Sequence, residues 1–144
     1  MTGRHARLVH EALDRFDRTF ASGDADSLAE LFADDARLLL LYQEPLEGRA
    51  AIRTHWATLF ADWDPGDWRA EHDVVDVHGD RAYSLSTYAE TLRKRDGTAA
   101  IVVRGRLVHF LRRDPDGTWR VTLAVNSHSR PSERLEHDPG ASPD

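Results

Sequence analysis

The sequence predicts an α+β fold: three N-terminal helices packed on a curved antiparallel β-sheet. Three observations predict it. Up to about residue 62, apolar residues recur at steps of three and four, the period of helices with one buried face. From Trp68 onward the period changes to alternation, which marks half-buried strands. Two Asp-Gly pairs, Asp96-Gly97 and Asp116-Gly117, punctuate that second half as hairpin turns.

Each element follows in order. Val9, Ala12, Leu13, Phe16 and Phe20 line one face of a first helix over 5–21. Ser22-Gly23-Asp24 stops it, because Gly23 suits the left-handed position after a helix and Asp24 caps the next. A short second helix is expected over 25–34, with Leu28, Leu31 and Phe32 inward. A strand covers 37–43, and the stretch 44–48 reads as a loop around Pro45 and Gly48. A third helix over 49–62 turns Ile52, Trp56, Leu59 and Phe60 inward. Asp64-Pro65-Gly66-Asp67 is a turn. Strands then span 68–77, 81–93, 98–112 and 118–129, joined by turns at His78-Gly79-Asp80, Asp96-Gly97 and Asp114–Gly117. Residues 1–129 therefore read as one domain. The stretch 130–144, with three prolines, a glycine and several charges, reads as a disordered tail.

Composition sets bounds. A chain of 144 residues with 40% apolar content has enough material for one core. No apolar run approaches a membrane span, and MTGRHARLVH lacks the pattern of a signal peptide, so the expected location is cytoplasmic. Without cysteine there are no disulfides and no thiolate chemistry. The net charge of -6 has the wrong sign for a protein that neutralises nucleic-acid phosphates. Arg93, Lys94 and Arg95 form the one basic cluster, read as a solvated strand end beside a turn.

The run GDADSLAELFADDARLLLLYQEPLEGRAAIRTHW resembles the nuclear transport factor 2-like superfamily, which includes ketosteroid isomerase and SnoaL-like cyclases. The ending DGTWRVTLAVNS and the helix pattern GRAAIRTHW are similar to its SgcJ/EcaC group. The resemblance covers about residues 5–129. It implies a cone-shaped α+β barrel with an internal pocket, and a homodimer. Laid on the ketosteroid isomerase pattern, the aspartate base falls on Leu40, the tyrosine oxyanion donor on Phe16, and the second donor on His109. Leu40 cannot take a proton and Phe16 cannot give one, so steroid isomerisation by that mechanism is excluded. The leucine run 38–41 then reads as a strand packed in the core on one face and lining an apolar cavity on the other.

Strand parity carried over from the resemblance aims Leu38, Leu40, Tyr42, Tyr83, Leu85, Thr87, Val103, Leu107, His109, Thr122 and Asn126 into the pocket. The helices add Phe16, Trp56 and His55. His109 is the sharpest candidate, since imidazole exchanges protons near neutral pH; the competing reading is a core histidine donating one hydrogen bond. His55 carries the same two readings, with packing against Trp56 as the structural one. Asn126 could orient a substrate carbonyl or bond a neighbouring strand end. Tyr42 and Tyr83 offer hydroxyls or sit at the rim. Asp34 and Asp35 are expected to cap the helix end or bond the next strand's backbone. Glu71-His72-Asp73 and Glu90 are read as solvated. No His-x-x-x-His or His-Glu-x-x-His spacing points to a metal, and no glycine-rich phosphate loop points to a nucleotide cofactor, so none is expected. Two functions follow: a cofactor-independent cyclase, isomerase or dehydratase acting on a hydrophobic carbonyl compound, or a non-catalytic binding or dimerisation domain. Large side chains filling the pocket would favour the second.

Overall fold

The computed structural model describes residues 2–135. Helix α1, Thr2–Ser22, buries Val9, Leu13, Phe16 and Phe20 along one stripe, as its spacing predicts. Gly23 ends it at φ +73°, a conformation that disfavours any side chain, and its N–H donates to the Phe20 carbonyl. Asp24 caps α2, Ala25–Ala29, by accepting from the Ser27 N–H at 3.1 Å.

Helix α2 is a single turn, shorter than its sequence suggests, because the backbone is claimed by pairing. Strand β1, Phe32–Leu39, starts early, and the Val121 N–H already donates to the Leu31 carbonyl. Asp34 and Asp35 therefore lie in the strand and not at a helix end. Pairing is irregular between Phe32 and Arg37, and both carboxylates face out. Each meets an arginine: Asp34 pairs with Arg49 at 2.7 Å and Asp35 with Arg112 at 3.3 Å. This corrects the expectation of a cap or a backbone bond.

The expected loop contains a two-residue strand, β2, Leu46–Glu47, antiparallel to β1. Helix α3, Arg49–Asp62, occupies the predicted range and buries Ile52, Trp56 and Phe60. Then come β3, Trp63–Asp64; β4, Arg69–His78; β5, Arg81–Lys94; β6, Ala100–Arg113; and β7, Trp119–His128. A last strand, β8, Glu133–Leu135, pairs with Ala100–Val102 of β6. Ordered pairing thus continues into the stretch read as a tail; 136–144 lies outside the described residues.

The strands form one sheet in the order β2-β1-β7-β6-β5-β3, with β4 on β5 and β8 on β6. The sheet is mixed, because β1 runs parallel to β7. It curls strongly into a half-barrel, and the three helices pack against it in a cone-shaped α+β arrangement. Gly105 sits mid-strand in β6, where a Cβ would overlap the Ser127 carbonyl oxygen and lie 3.0 Å from Tyr88 Cε1. The core joins the inner stripe of α1 to Trp119, Val121 and Ala124 of β7.

Candidate active site

A cavity of about 250 Å³ lies between the helices and the concave face of the sheet. Its size is near the lower end for small-molecule pockets, roughly 300–1,000 Å³. The large side chains line it without filling it. Leu38, Leu40, Leu41 and Tyr42 all border it, because the chain leaves β1 after Leu39 and turns there. The leucine run is greasy for that reason: the turn presents consecutive residues to one hollow.

The structure brings His109, His55, Asn126, Phe16, Leu40, Tyr42, Trp56 and Leu107 together around this cavity. Tyr42 stands at its edge, 97% exposed, with φ +63°. Four expected lining residues lie elsewhere. Tyr83, Leu85 and Thr87 are on the outer face of the sheet; Ala82, Ser84, Ser86, Tyr88 and Leu92 are the buried members of β5. The Tyr83 ring contacts Phe110, and the Thr87 hydroxyl donates to Asp73. Thr122 sits at a bulge where pairing slips between Phe110 and Leu111, and its hydroxyl donates to the Phe110 carbonyl.

The same parity brings in residues that the sequence reading left out. Tyr88 and Glu90 of β5 line the cavity, with Trp68 and Phe20 opposite. Glu90, expected in solvent, has a buried carboxyl oxygen without a hydrogen-bond partner. Burial pushes its pKa up to about 7. His72, also expected in solvent, is half-buried. One ring nitrogen lies 2.8 Å from Asp17 Oδ2, the other 2.7 Å from Ser86 Oγ. Asp17 raises the His72 pKa and also accepts from the Trp68 indole at 2.9 Å. Asp14, Asp17 and His72 offer ligand atoms within 4.8 Å of one another, but both His72 nitrogens are already engaged.

His109 is fully buried, and neither ring nitrogen has a partner. Phe16 packs edge-on against it at 4.6 Å between centroids. Burial, with the nearby His72 adding to it, drives its pKa down to about 4, so the ring is neutral at neutral pH. Trp56 Nε1 is likewise buried without a partner. His55 stacks edge-on against Trp56 at 4.7 Å, and burial lowers its pKa.

Asn126 already has two partners. Its Oδ1 accepts from the Leu41 N–H at 3.2 Å and its Nδ2 donates to the Tyr88 hydroxyl at 3.4 Å. It pins the β1 exit turn and the Tyr88 ring, which stacks on Trp68 at 4.9 Å. One N–H and one lone pair of the amide are left for a further partner. The Tyr88 hydroxyl is held at about 12 by burial.

A profile of the SnoaL-like domain matches residues 13–122. No curated protein matches the chain by sequence. Among solved structures, a ketosteroid isomerase-like protein from Erwinia carotovora atroseptica SCRI1043 superposes with a TM-score of 0.79 at 17% identity. That match covers 87% of this chain and 96% of that one. A scytalone dehydratase-like protein from Novosphingobium aromaticivorans DSM 12444 gives 0.80 at 14% identity, covering 99% and 95%. A nuclear transport factor 2-like protein from Salmonella enterica serovar Typhimurium LT2 gives 0.77 at 16%, covering 91% and 95%. At these identities the structures speak for the fold, and the domain profile speaks for the family. The chain belongs to the SnoaL-like domain family and carries the nuclear transport factor 2-like, ketosteroid isomerase-like fold.

Proposed function

We propose that the chain is a cofactor-independent enzyme of the cyclase, isomerase or dehydratase type, moving protons on a hydrophobic, carbonyl-bearing small molecule. A polyketide-type intermediate has that chemistry. One observation carries the reading. His109 borders a mostly apolar cavity, and both its ring nitrogens are buried and unpartnered. A buried imidazole without any partner is costly to the fold, and a substrate that hydrogen-bonds to it offsets that cost.

The chemistry follows from burial. Free His109 holds no extra proton at neutral pH, given a pKa of about 4. As negative charge builds on a substrate oxygen beside it, the low-dielectric surroundings favour imidazolium. The α-C–H bond breaks, the proton passes to a ring nitrogen, and the electron pair moves onto the carbonyl oxygen as an enolate. Returning the proton at another carbon isomerises the substrate. Giving the proton to a departing β-hydroxyl releases water and dehydrates the substrate, and attack of the enolate carbon on a second carbonyl, whose oxygen takes the proton, closes a ring. His55 is the second candidate for proton transfer, while Asn126 positions Tyr88 and the β1 exit turn.

The ending DGTWRVTLAVNS supports a place near the SgcJ/EcaC group, and among the described residues no helix is long and apolar enough to cross a membrane. The outer sheet face supports a homodimer: Val74, Leu85 and Phe110 are each more than 40% exposed there. A second reading, a binding domain without turnover, draws on the two bonds the Asn126 amide already makes. Native mass spectrometry of the purified protein, followed by thermal shifts with cyclic ketones, tests the first reading. It expects a retained small molecule or a stabilising shift. Neither across a broad ketone panel overturns it.

A further inference from the structure

Among the described residues, Glu90 carries the cavity's only carboxylate, at a different place from its buried imidazole. Glu90 pairs across the strands with Val103, and His109 lies six residues further along β6. At about 3.3 Å per residue that is about 20 Å along the contour of a strongly curled strand. Both residues border one cavity of about 250 Å³, so Glu90 and His109 meet different parts of one ligand.

The surroundings of Glu90 say which part it meets. Glu90 has no ion-pair or hydrogen-bond partner among the described residues, and one of its oxygens is buried. Among the described residues, no lysine or arginine lines the cavity, and the histidines that border it are His55, His109 and His128; His128 Nδ1 is within 3.3 Å of Ser132 Oγ. Aromatic faces surround the hollow: Trp68 and Tyr88 are stacked, and Trp56 joins them. An unpaired carboxylate beside π faces attracts a cation from two sides, by charge and by the ring quadrupole.

We infer that Glu90 is a recognition site for a protonated amine, so that the ligand is an apolar molecule bearing an ammonium group at the end away from His109. This rests on the small-molecule reading of the cavity and specifies the ligand class it takes. A neutral body occupies the apolar middle. The ammonium donates to the Glu90 carboxylate and supplies the positive charge that the lining lacks.

Paired probes of one shape test it: 2-aminotetralin, a cation, and 2-tetralol, its neutral counterpart. Binding is followed at about pH 8 by titration calorimetry, where a free carboxyl of this kind is ionised and an alkyl amine remains protonated. Wild-type protein should bind the amine at least about tenfold more tightly than the alcohol, about 1.4 kcal/mol. Glu90→Gln should erase that preference. Equal affinities in the wild type, a preference that survives Glu90→Gln, or no binding of either probe overturns the inference. Exchange of the α-protons of 2-tetralone, measured in parallel, reports on the proton-transfer reading alone. Amine preference without exchange overturns only that reading, and exchange without amine preference overturns only this one.

Discussion

Glu90→Gln should stabilise the protein at alkaline pH and leave it unchanged at acid pH. The reason lies in two buried groups whose protons pull stability in opposite directions. The Glu90 carboxyl titrates at about 7 in the fold against an ordinary 4.5, so between those values the folded chain holds more protons than the unfolded one. Stability then falls as pH rises through that window. The His109 ring titrates at about 4 against an ordinary 6.5, so there the unfolded chain holds more protons, and stability rises with pH. At about 1.4 kcal/mol per pH unit, each contributes at most about 3 kcal/mol. The Glu90 figure is a ceiling, because the residue is half-buried and solvent at the cavity screens it. In the wild type the two slopes oppose each other between about pH 4.5 and 6.5. The glutamine variant removes one. Its stability relative to wild type should climb from near zero at about pH 4 towards a gain of up to about 3 kcal/mol at about pH 8. Urea unfolding followed by tryptophan fluorescence at several pH values measures this. The difference between the two proteins cancels titrations they share, including those of Tyr88 and His55 on the same cavity and of His72. A variant whose stability runs parallel to wild type from pH 4 to 8 refutes the reasoning.

Other outcomes follow from the same geometry. The kcat/KM for a neutral ketone should stay level down to about pH 5.5 and fall only as His109 protonates near 4; a limb near the ordinary 6.5 would contradict its burial. Gly105→Ala should cost about 3 kcal/mol in urea unfolding, the upper end for overpacking, because its methyl meets the Ser127 carbonyl and Tyr88; a neutral result would mean that β6 and β7 part easily. Phe110→Arg should turn a dimeric wild type into a monomer in sedimentation equilibrium, since a charge would enter the outer apolar face. A wild type that sediments as a monomer would remove the dimer.

Much of the fold was legible because its signals are local. The helical stripe of α1, the Gly23–Asp24 junction and the limits of α3 need no partner to be read. β1 was not, because its early start depends on parallel pairing with β7, nearly ninety residues away in the chain. The site was half legible. Val103, Leu107 and His109 were placed inward correctly, while Tyr83, Leu85 and Thr87 were not. Those two sets are incompatible across a hairpin centred on Asp96-Gly97, where the Lys94 N–H donates to the Ala99 carbonyl. That turn makes the numbers of facing residues add to a constant, so Val103 faces Glu90, Leu107 faces Ser86 and His109 faces Ser84. The turn alone was enough to find Glu90. Thr122 was beyond reach, because the bulge that changes the parity of β7 leaves no mark in composition. The ion pairs of Asp34 and Asp35 depend on Arg49 and Arg112, which only the folded chain brings near.

The proposed proton transfer at His109 is tested most directly by following deuterium entry at the α-carbons of 2-tetralone in heavy water by proton NMR. Wild-type protein should exchange them well above the buffer rate. His109→Ala and His109→Gln should each be slower by at least about 100-fold, the lower figure for loss of one acid–base group. The glutamine keeps a polar side chain in place and so separates lost basicity from lost packing. Wild-type exchange at the buffer rate, or either variant matching the wild type, would contradict the assignment.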